Sequence, residues 1–180
     1  GEAGALSRPE AHLLQARLLF ERGEVRRAHM AVDAAIGELE DVYGPRHPIR
    51  IEARRLRGQV LAGLGEFDQA EHEFAAALEV LDVGQDVLPA AGRVHLARLR
   101  LVAERGDFDA AHARLAELLE AYPASDPGRV LVHWRLRAFE AELRCGQGEV
   151  GDAQQVLAEL SADVQALDQG GRAGASQVIA

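Results

Sequence analysis

The chain has 180 residues, 48% of them apolar and only 4% aromatic, with a net charge of −9, so any core must be packed from Leu, Ala and Val. All twenty basic residues are Arg, and Lys, Asn and Thr do not occur. This excludes a Schiff-base lysine, a phosphate-loop lysine and N-glycosylation, and fits the codon usage of a GC-rich, bacterial genome.

Taken in chain order, apolar periodicity predicts helices at about 8–22, 24–43, 47–64, 66–82, 87–105, 107–121, 127–146 and 149–168. Pro9, Pro48, Pro89 and Pro127 fall at or near the starts of the odd-numbered helices, where a missing N–H costs nothing. Asp126 before Pro127 is the clearest cap. Loops near 44–47, 83–86 and 122–126 carry Gly, Pro and Asp. Residues 1–6 and 169–180 are Gly- and Ala-rich without a period and are expected to be loosely ordered.

One pattern returns four times, anchored on Gly23, Gly65, Gly106 and Gly148 at intervals of 42, 41 and 42 residues. A fixed period of this size marks a stacked-repeat protein. Two residues after each glycine come Val25, Phe67, Phe108 and Val150. Five after come Ala28, Ala70, Ala111 and Ala153. Nine after come Val32, Phe74, Leu115 and Leu157, and twelve after come Ala35, Ala77, Leu118 and Leu160. These offsets place all four groups on one helical face. The invariant alanine predicts a close helix–helix approach that a larger side chain would overpack. Each glycine stands between two amphipathic helices, where a left-handed turn needs no Cβ. The unit is helix–tight turn–helix, at about 8–45, 46–84, 85–125 and 126–168 within a single domain spanning 1–180.

This unit resembles the tetratricopeptide repeat: Gly at the turn, an aromatic residue two later, then Ala and a large apolar residue four apart, with Pro123 where that family often ends a unit. The period exceeds the family's usual ~34 residues. The second unit, with Tyr43-Gly44-Pro45-Arg46-His47-Pro48 leading to Gly65-Glu66-Phe67-Asp68-Gln69-Ala70-Glu71, resembles the long variant of the kinesin light chain kind. The resemblance implies an all-α, right-handed α-solenoid of eight helices. It also implies that the first helix of each repeat lines a concave groove. Carried over, the groove positions are Leu13, Arg17 and Phe20; Glu52, Arg55 and Gln59; Arg93, Leu96 and Arg100; and Arg135, Ala138 and Glu142. The carboxylate clamp of the family's chaperone-binding members needs Lys and Asn, which this chain lacks.

Dividing the chain by the period exposes a split in charge. The first-helix windows sum to +8 and the second-helix windows to −17. The groove positions carry five arginines against two carboxylates, a basic lining with apolar patches. An arginine fork suits the gripping of carboxylates. The bland alternative is that these arginines pair with acids on neighbouring helices, each pair contributing about 0–1 kcal/mol.

Other chemistry has weaker support. Gly146-Gln147-Gly148-Glu149-Val150-Gly151 spells G-x-G-x-x-G, but a helix precedes it where the dinucleotide fingerprint needs a strand, so no cofactor is expected. None of the seven histidines falls in a metal-ligand spacing, and no metal is expected. The serines lie in no nucleophile motif, and Cys145 reads as a small apolar filler or a free thiol. A single cysteine fits a reducing, cytoplasmic setting, and no apolar run is long enough to span a membrane. An acidic exterior with few aromatics opposes nucleic-acid binding.

The expected function is therefore a non-enzymatic interaction scaffold. It would bind a peptide or partner helix with acidic and apolar residues in the basic groove. The alternative is a sensor or regulatory repeat domain of a multidomain bacterial signalling kinase or transcription regulator. A start on Gly and the lack of an obvious cap on the fourth repeat predict excision from a longer protein. The same uncapped repeat allows self-association.

Overall fold

The computed structural model describes residues 7–44, 47–81 and 88–178, so the expected loop at 83–86 lies outside the described residues. Its helices are α1 (Arg8–Glu21), α2 (Val25–Val42), α3 (Pro48–Gly63), α4 (Phe67–Leu81), α5 (Leu88–Glu104), α6 (Phe108–Ala121), α7 (Val130–Gly146) and α8 (Val150–Val178). They form two compact units, Gly1–Gly106 with α1–α5 and Asp107–Ala180 with α6–α8.

The anchor glycines make the turns. Their φ angles are +76°, +81°, +80° and +84° for Gly23, Gly65, Gly106 and Gly148, a region that L side chains avoid. The residue after the glycine reaches back to close each of three turns. Glu24 N–H donates to Leu19 O, Glu66 N–H to Leu61 O and Glu149 N–H to Arg144 O, each at 2.9 Å. This hydrogen bond satisfies a carbonyl that the helix end would leave unpaired. The literal G-x-G-x-x-G run is such a turn, with Gly146 ending α7, Gly148 left-handed and Gly151 inside α8.

Starts are set locally. Ser7 N–H donates to Glu10 Oε2 at 2.9 Å, half of a capping box, and this backbone hydrogen bond holds the Glu10 carboxyl below its ordinary value. His47 Nδ1 accepts from Ile49 N–H at 3.3 Å in front of α3, and Asp107 Oδ1 accepts from Ala110 N–H at 3.1 Å in front of α6. Asp126 departs from expectation. Its Oδ1 accepts from Gly128 N–H at 2.9 Å, capping a turn over residues 127–129, and α7 begins only at Val130. Residues 169–178 continue α8, while residues 1–6 and 179–180 lie outside the described residues.

In the first unit, two apolar clusters share α3. One joins Leu13, Ala16 and Leu19 of α1 to Ala28, Val32, Ala35 and Leu39 of α2 and to Ala53, Leu56 and Val60 of α3. The other joins Ile51 and Leu61 of α3 to Ala70, Phe74, Ala77 and Leu81 of α4 and to Ala91, Val94, Ala97 and Leu101 of α5. Each buried Leu or Val contributes about 1.5–3 kcal/mol. The repeating alanines Ala28, Ala70, Ala111 and Ala153 are all fully buried. Gly58 permits a second close approach, because a Cβ there would lie 2.5 Å from the Phe74 ring.

In the second unit, Ala141, Ala153 and Val156 pack together. Here the expected face shifts by one residue. Leu157, equivalent to the buried Val32, Phe74 and Leu115, is exposed, and Val156 is buried in its place. In the first unit the equivalents are covered by the first helix that follows, whereas α8 is the last of the described helices.

Many basic residues of the first helices pair with acids of the second. Arg57 meets Asp33 at 3.0 Å and Glu73 at 3.3 Å, Arg54 meets Glu73 at 3.2 Å, Arg50 meets Glu40 at 3.2 Å, and Arg98 meets Glu71. Two guanidinium groups thus compensate the buried Glu73 carboxylate.

Two substitutions test this packing. Ala70→Leu is expected to lower the unfolding free energy by about 1–3 kcal/mol in chemical denaturation, through overpacking. Gly58→Ala is expected to destabilise the wild type although alanine is the better helix former by about 1 kcal/mol. In a Phe74→Leu background the same change should become neutral or stabilising. Equal effects in both backgrounds would refute the Gly58–Phe74 contact.

Candidate functional site

The expected groove positions of the first unit meet in an open cleft walled by α1, α3 and α5. Measured from the anchor glycines, most of its lining comes from positions −13, −10, −6, −3 and −2 of the first helices, completed by Leu56 and Ala97 at −9, Leu101 at −5 and Phe74 of α4. The larger part, about 650 Å³, is bordered by Arg17, Phe20, Glu21, Glu52, Arg55, Leu56, Gln59 and Arg93. An adjoining part of about 240 Å³ is more apolar, with Ala62, Gly63, Phe74, Ala97 and Leu101 beside Arg100 and Glu104. Phe20 and Gln59 border both.

Three arginines from three helices converge on one carboxylate. Arg55 holds Glu52 through Nε to Oε2 at 3.0 Å and Nη2 to Oε1 at 2.6 Å, a paired contact that fixes the planes of both groups. Arg17 Nη2 reaches the same Oε1, and Arg93 Nε stands 3.6 Å from Oε2. Arg55 Nη1 also donates to Gln59 Oε1 at 2.6 Å. Burial pushes the Glu52 carboxyl up. The hydrogen bond and charge of Arg55, joined by the charges of Arg17 and Arg93, outweigh it and hold the group below its ordinary value of 4.5. Glu52 and Arg55 are mostly buried, whereas the Arg17 and Arg93 side chains are 42% and 45% exposed.

The lining differs from expectation in three ways. Leu13 is buried in the α1–α2–α3 core, away from the cleft. Leu96 is half-buried on α5 and does not border either cavity. Glu21 and Glu104 join the lining, so four arginines face three carboxylates and the cleft is close to electrically balanced. Both glutamates stand two residues before an anchor glycine, a position where the period itself could have found them.

The remaining expected residues, Arg135 and Glu142, are exposed on α7 in the second unit, and Ala138 is half-buried there. In that unit a cleft of about 290 Å³ between α7 and α8 is filled with ion pairs. Arg137 meets Glu140 and Glu159, and Arg144 meets Glu140 at 3.1 Å, Asp152 at 3.5 Å and Glu149 at 3.6 Å. Cys145 is exposed, which removes its reading as an apolar filler and leaves a free thiol. Three histidines of the described helices sit beside hydrogen-bond or ion partners: His12 lies 3.2 Å from Glu38, His112 Nε2 2.7 Å from Gln147 Oε1, and His133 Nδ1 2.8 Å from Tyr122 O. Among the described residues no helix is long and apolar enough to cross a membrane.

No family model and no curated protein matches this sequence. Solved structures do match. One is a Podosopora anserina protein described as a kinesin light chain with nearly identical TPR-like repeats, 16% identical, with a TM-score of 0.61 over 94% of this chain and 80% of that one. A substituted form of the same protein matches with 16% identity and a TM-score of 0.61 over 93% and 79% of the two chains. Likeness at that identity concerns fold, and it places this chain among all-α, TPR-like repeat solenoids.

The Glu52 cluster has a signature in acid titration. A carboxyl with a depressed folded-state value contributes stability that is full above its unfolded value and lost as pH falls through the folded one. The Glu52 side-chain carboxyl resonance is therefore expected to titrate below 4.5, and Glu52→Gln should remove that part of the acid dependence of unfolding. A titration at or above 4.5 would show that the three arginines do not act together on it.

Proposed function

We propose that this chain is a non-enzymatic interaction scaffold that takes a peptide or a partner helix into the cleft of its first unit. The observation that carries this reading is the convergence of Arg17, Arg55 and Arg93 on the single Glu52 carboxylate. Three guanidinium groups carry far more N–H donors than two carboxylate oxygens can accept. The surplus on Arg17 and Arg93 faces an open cleft. An incoming acidic side chain would add to a cluster already ordered by Glu52. An apolar neighbour would enter the smaller cavity beside Phe20, Ala97 and Leu101. Phe20 and Gln59 border both parts, and Arg100 borders the smaller one. A repeat fold suits the role, since stacked helical pairs present extended surfaces for partners. The fold by itself names no partner, and the cleft residues are what select one.

Selection of displayed random peptides against the 180-residue chain tests the proposal. Enriched peptides are expected to combine acidic and apolar residues and to bind more weakly as salt rises. Arg17→Glu and Arg93→Glu should each weaken them about tenfold or more, the range of a charge-assisted hydrogen bond. Enrichment of basic peptides, or unchanged binding by the double variant, would overturn the reading.

A further inference from the structure

The repeat register exposes two apolar stripes, one at each end of the set of described helices. Nine and five residues before the anchor glycine stand Leu56 and Val60 in the second repeat, Ala97 and Leu101 in the third, and Phe139 and Leu143 in the fourth, all buried. In the first repeat the same positions are Leu14 and Leu18, which are 45% and 51% exposed. On the other side of each glycine, nine and sixteen residues after it, Val32, Leu39, Phe74 and Leu81 are buried. Their counterparts on α8 are Leu157 and Val164, 49% and 45% exposed, with Val150 seven residues earlier on the same face at 54%.

Within the first unit these two kinds of stripe pack on each other. Val32 and Leu39 share a cluster with Leu56 and Val60, and Phe74 and Leu81 share one with Ala97 and Leu101. The α1 stripe and the α8 stripe are thus the two halves of a junction that the chain already makes twice. Ion pairs accompany the apolar contact at the internal junctions. Arg57 to Asp33 at 3.0 Å, and Arg98 to Glu71, cross those internal junctions from a first helix to the preceding second helix. Arg50 and Arg105 do the same with Glu40 and Asp68. The register equivalents of Arg50 and Arg105 are Arg8 and Arg22, whose side chains are 80% and 75% exposed beside Glu38 and Glu24, while Gln15 stands at the position shared by Arg57 and Arg98. On α8 the positions of Asp33, Glu71, Glu40 and Asp68 hold Ala158, Gln154, Gln165 and Gly151, and the Asp152 and Glu159 carboxylates pair with Arg144 and Arg137 of α7, so the α8 stripe carries no counterpart of these acids.

We infer that a second copy of this chain covers these stripes, the α8 face of one copy stacking on the α1 face of the next as α2 stacks on α3 and α4 on α5. Such an interface joins two different surfaces, so one junction leaves a free stripe at each end and growth continues. It is weaker than the internal junctions. Arg144 occupies the position of the buried Leu19 and Leu61 and is held by Glu140 and Asp152.

Sedimentation velocity on three forms of the chain tests this: wild type, Leu14→Glu/Leu18→Glu, and Leu157→Glu/Val164→Glu. Wild type should form dimers, trimers and longer species as concentration rises. Each variant alone should remain monomeric with unchanged circular dichroism. An equimolar mixture of the two variants retains one intact α8 stripe and one intact α1 stripe, and should form a 1:1 complex that grows no further. If either glutamate variant loses its helical signal, the serine versions at the same positions take its place. A wild type that stays monomeric to its solubility limit, as it would if another polypeptide covers the stripes, overturns the inference. So does association of either variant alone, which would mark a symmetric dimer, or a mixture that remains monomeric.

Discussion

A left-handed residue between two antiparallel helices is the constraint from which the other contacts follow. At φ near +80° the chain reverses within a few residues, and only glycine does so without Cβ strain. The reversal brings the second helix back against the first so closely that alanine alone fits five residues later. From that contact the larger apolar groups at offsets nine and sixteen pack between their own first helix and the next one. A repeat of this kind cannot bury its apolar surface by itself, and its neighbours complete it.

The same register sorts charge. The side of a first helix that faces second helices carries Arg50, Arg54, Arg57 and Arg98, and these find Glu40, Glu73, Asp33 and Glu71. The side that faces the cleft carries Arg17, Arg55 and Arg93, and these have an acid of a first helix, Glu52, as partner. The arginines thus divide between pairs with second helices and a cluster around Glu52 that borders the cleft, on different faces of the same helices. Exposed pairs of the first kind each add little to stability. The cluster of the second kind is partly buried and concentrates positive charge where the chain is open.

Much of this was legible because the period is so regular. The glycines and the alanines follow from counting along the chain, and the resemblance to the tetratricopeptide repeat, applied at that period, supplied the cleft positions Arg17, Phe20, Arg55, Gln59, Arg93 and Arg100. What counting misses is context. Leu157 has the sequence position of Phe74 but not its covering helix, so burial passes to Val156. Leu13 has the position of Arg55, yet it sits in the core. Asp126 looks like a helix cap, but its hydrogen bond to Gly128 closes a separate turn first. The meeting of Arg17 and Arg93 at Glu52 brings together residues 35 and 41 positions apart, α1 and α5 arriving at α3, and no local pattern encodes it.

Glu52 acts as an internal anion for the cleft. Without it, Arg17, Arg55 and Arg93 would repel one another and sample many rotamers, and a ligand would have to order all three on arrival. Each ordered side chain of that kind costs about 0.5–1.5 kcal/mol at the moment of binding. Glu52 moves that cost into folding, and the paired contact from Arg55 orients the cluster in advance. A carboxylate held ionised by three cations gives up none of them readily, so in the proposed function an acidic ligand would join the cluster rather than displace Glu52 from it. Arg17 and Arg93, which keep the most exposure, are the members with donors left to give, while the buried Arg55 serves as their fixed support. Glu21 and Glu104 in the lining limit the net charge, so in the proposed function discrimination among partners would rest on where an acidic group sits along the cleft more than on how many a partner carries.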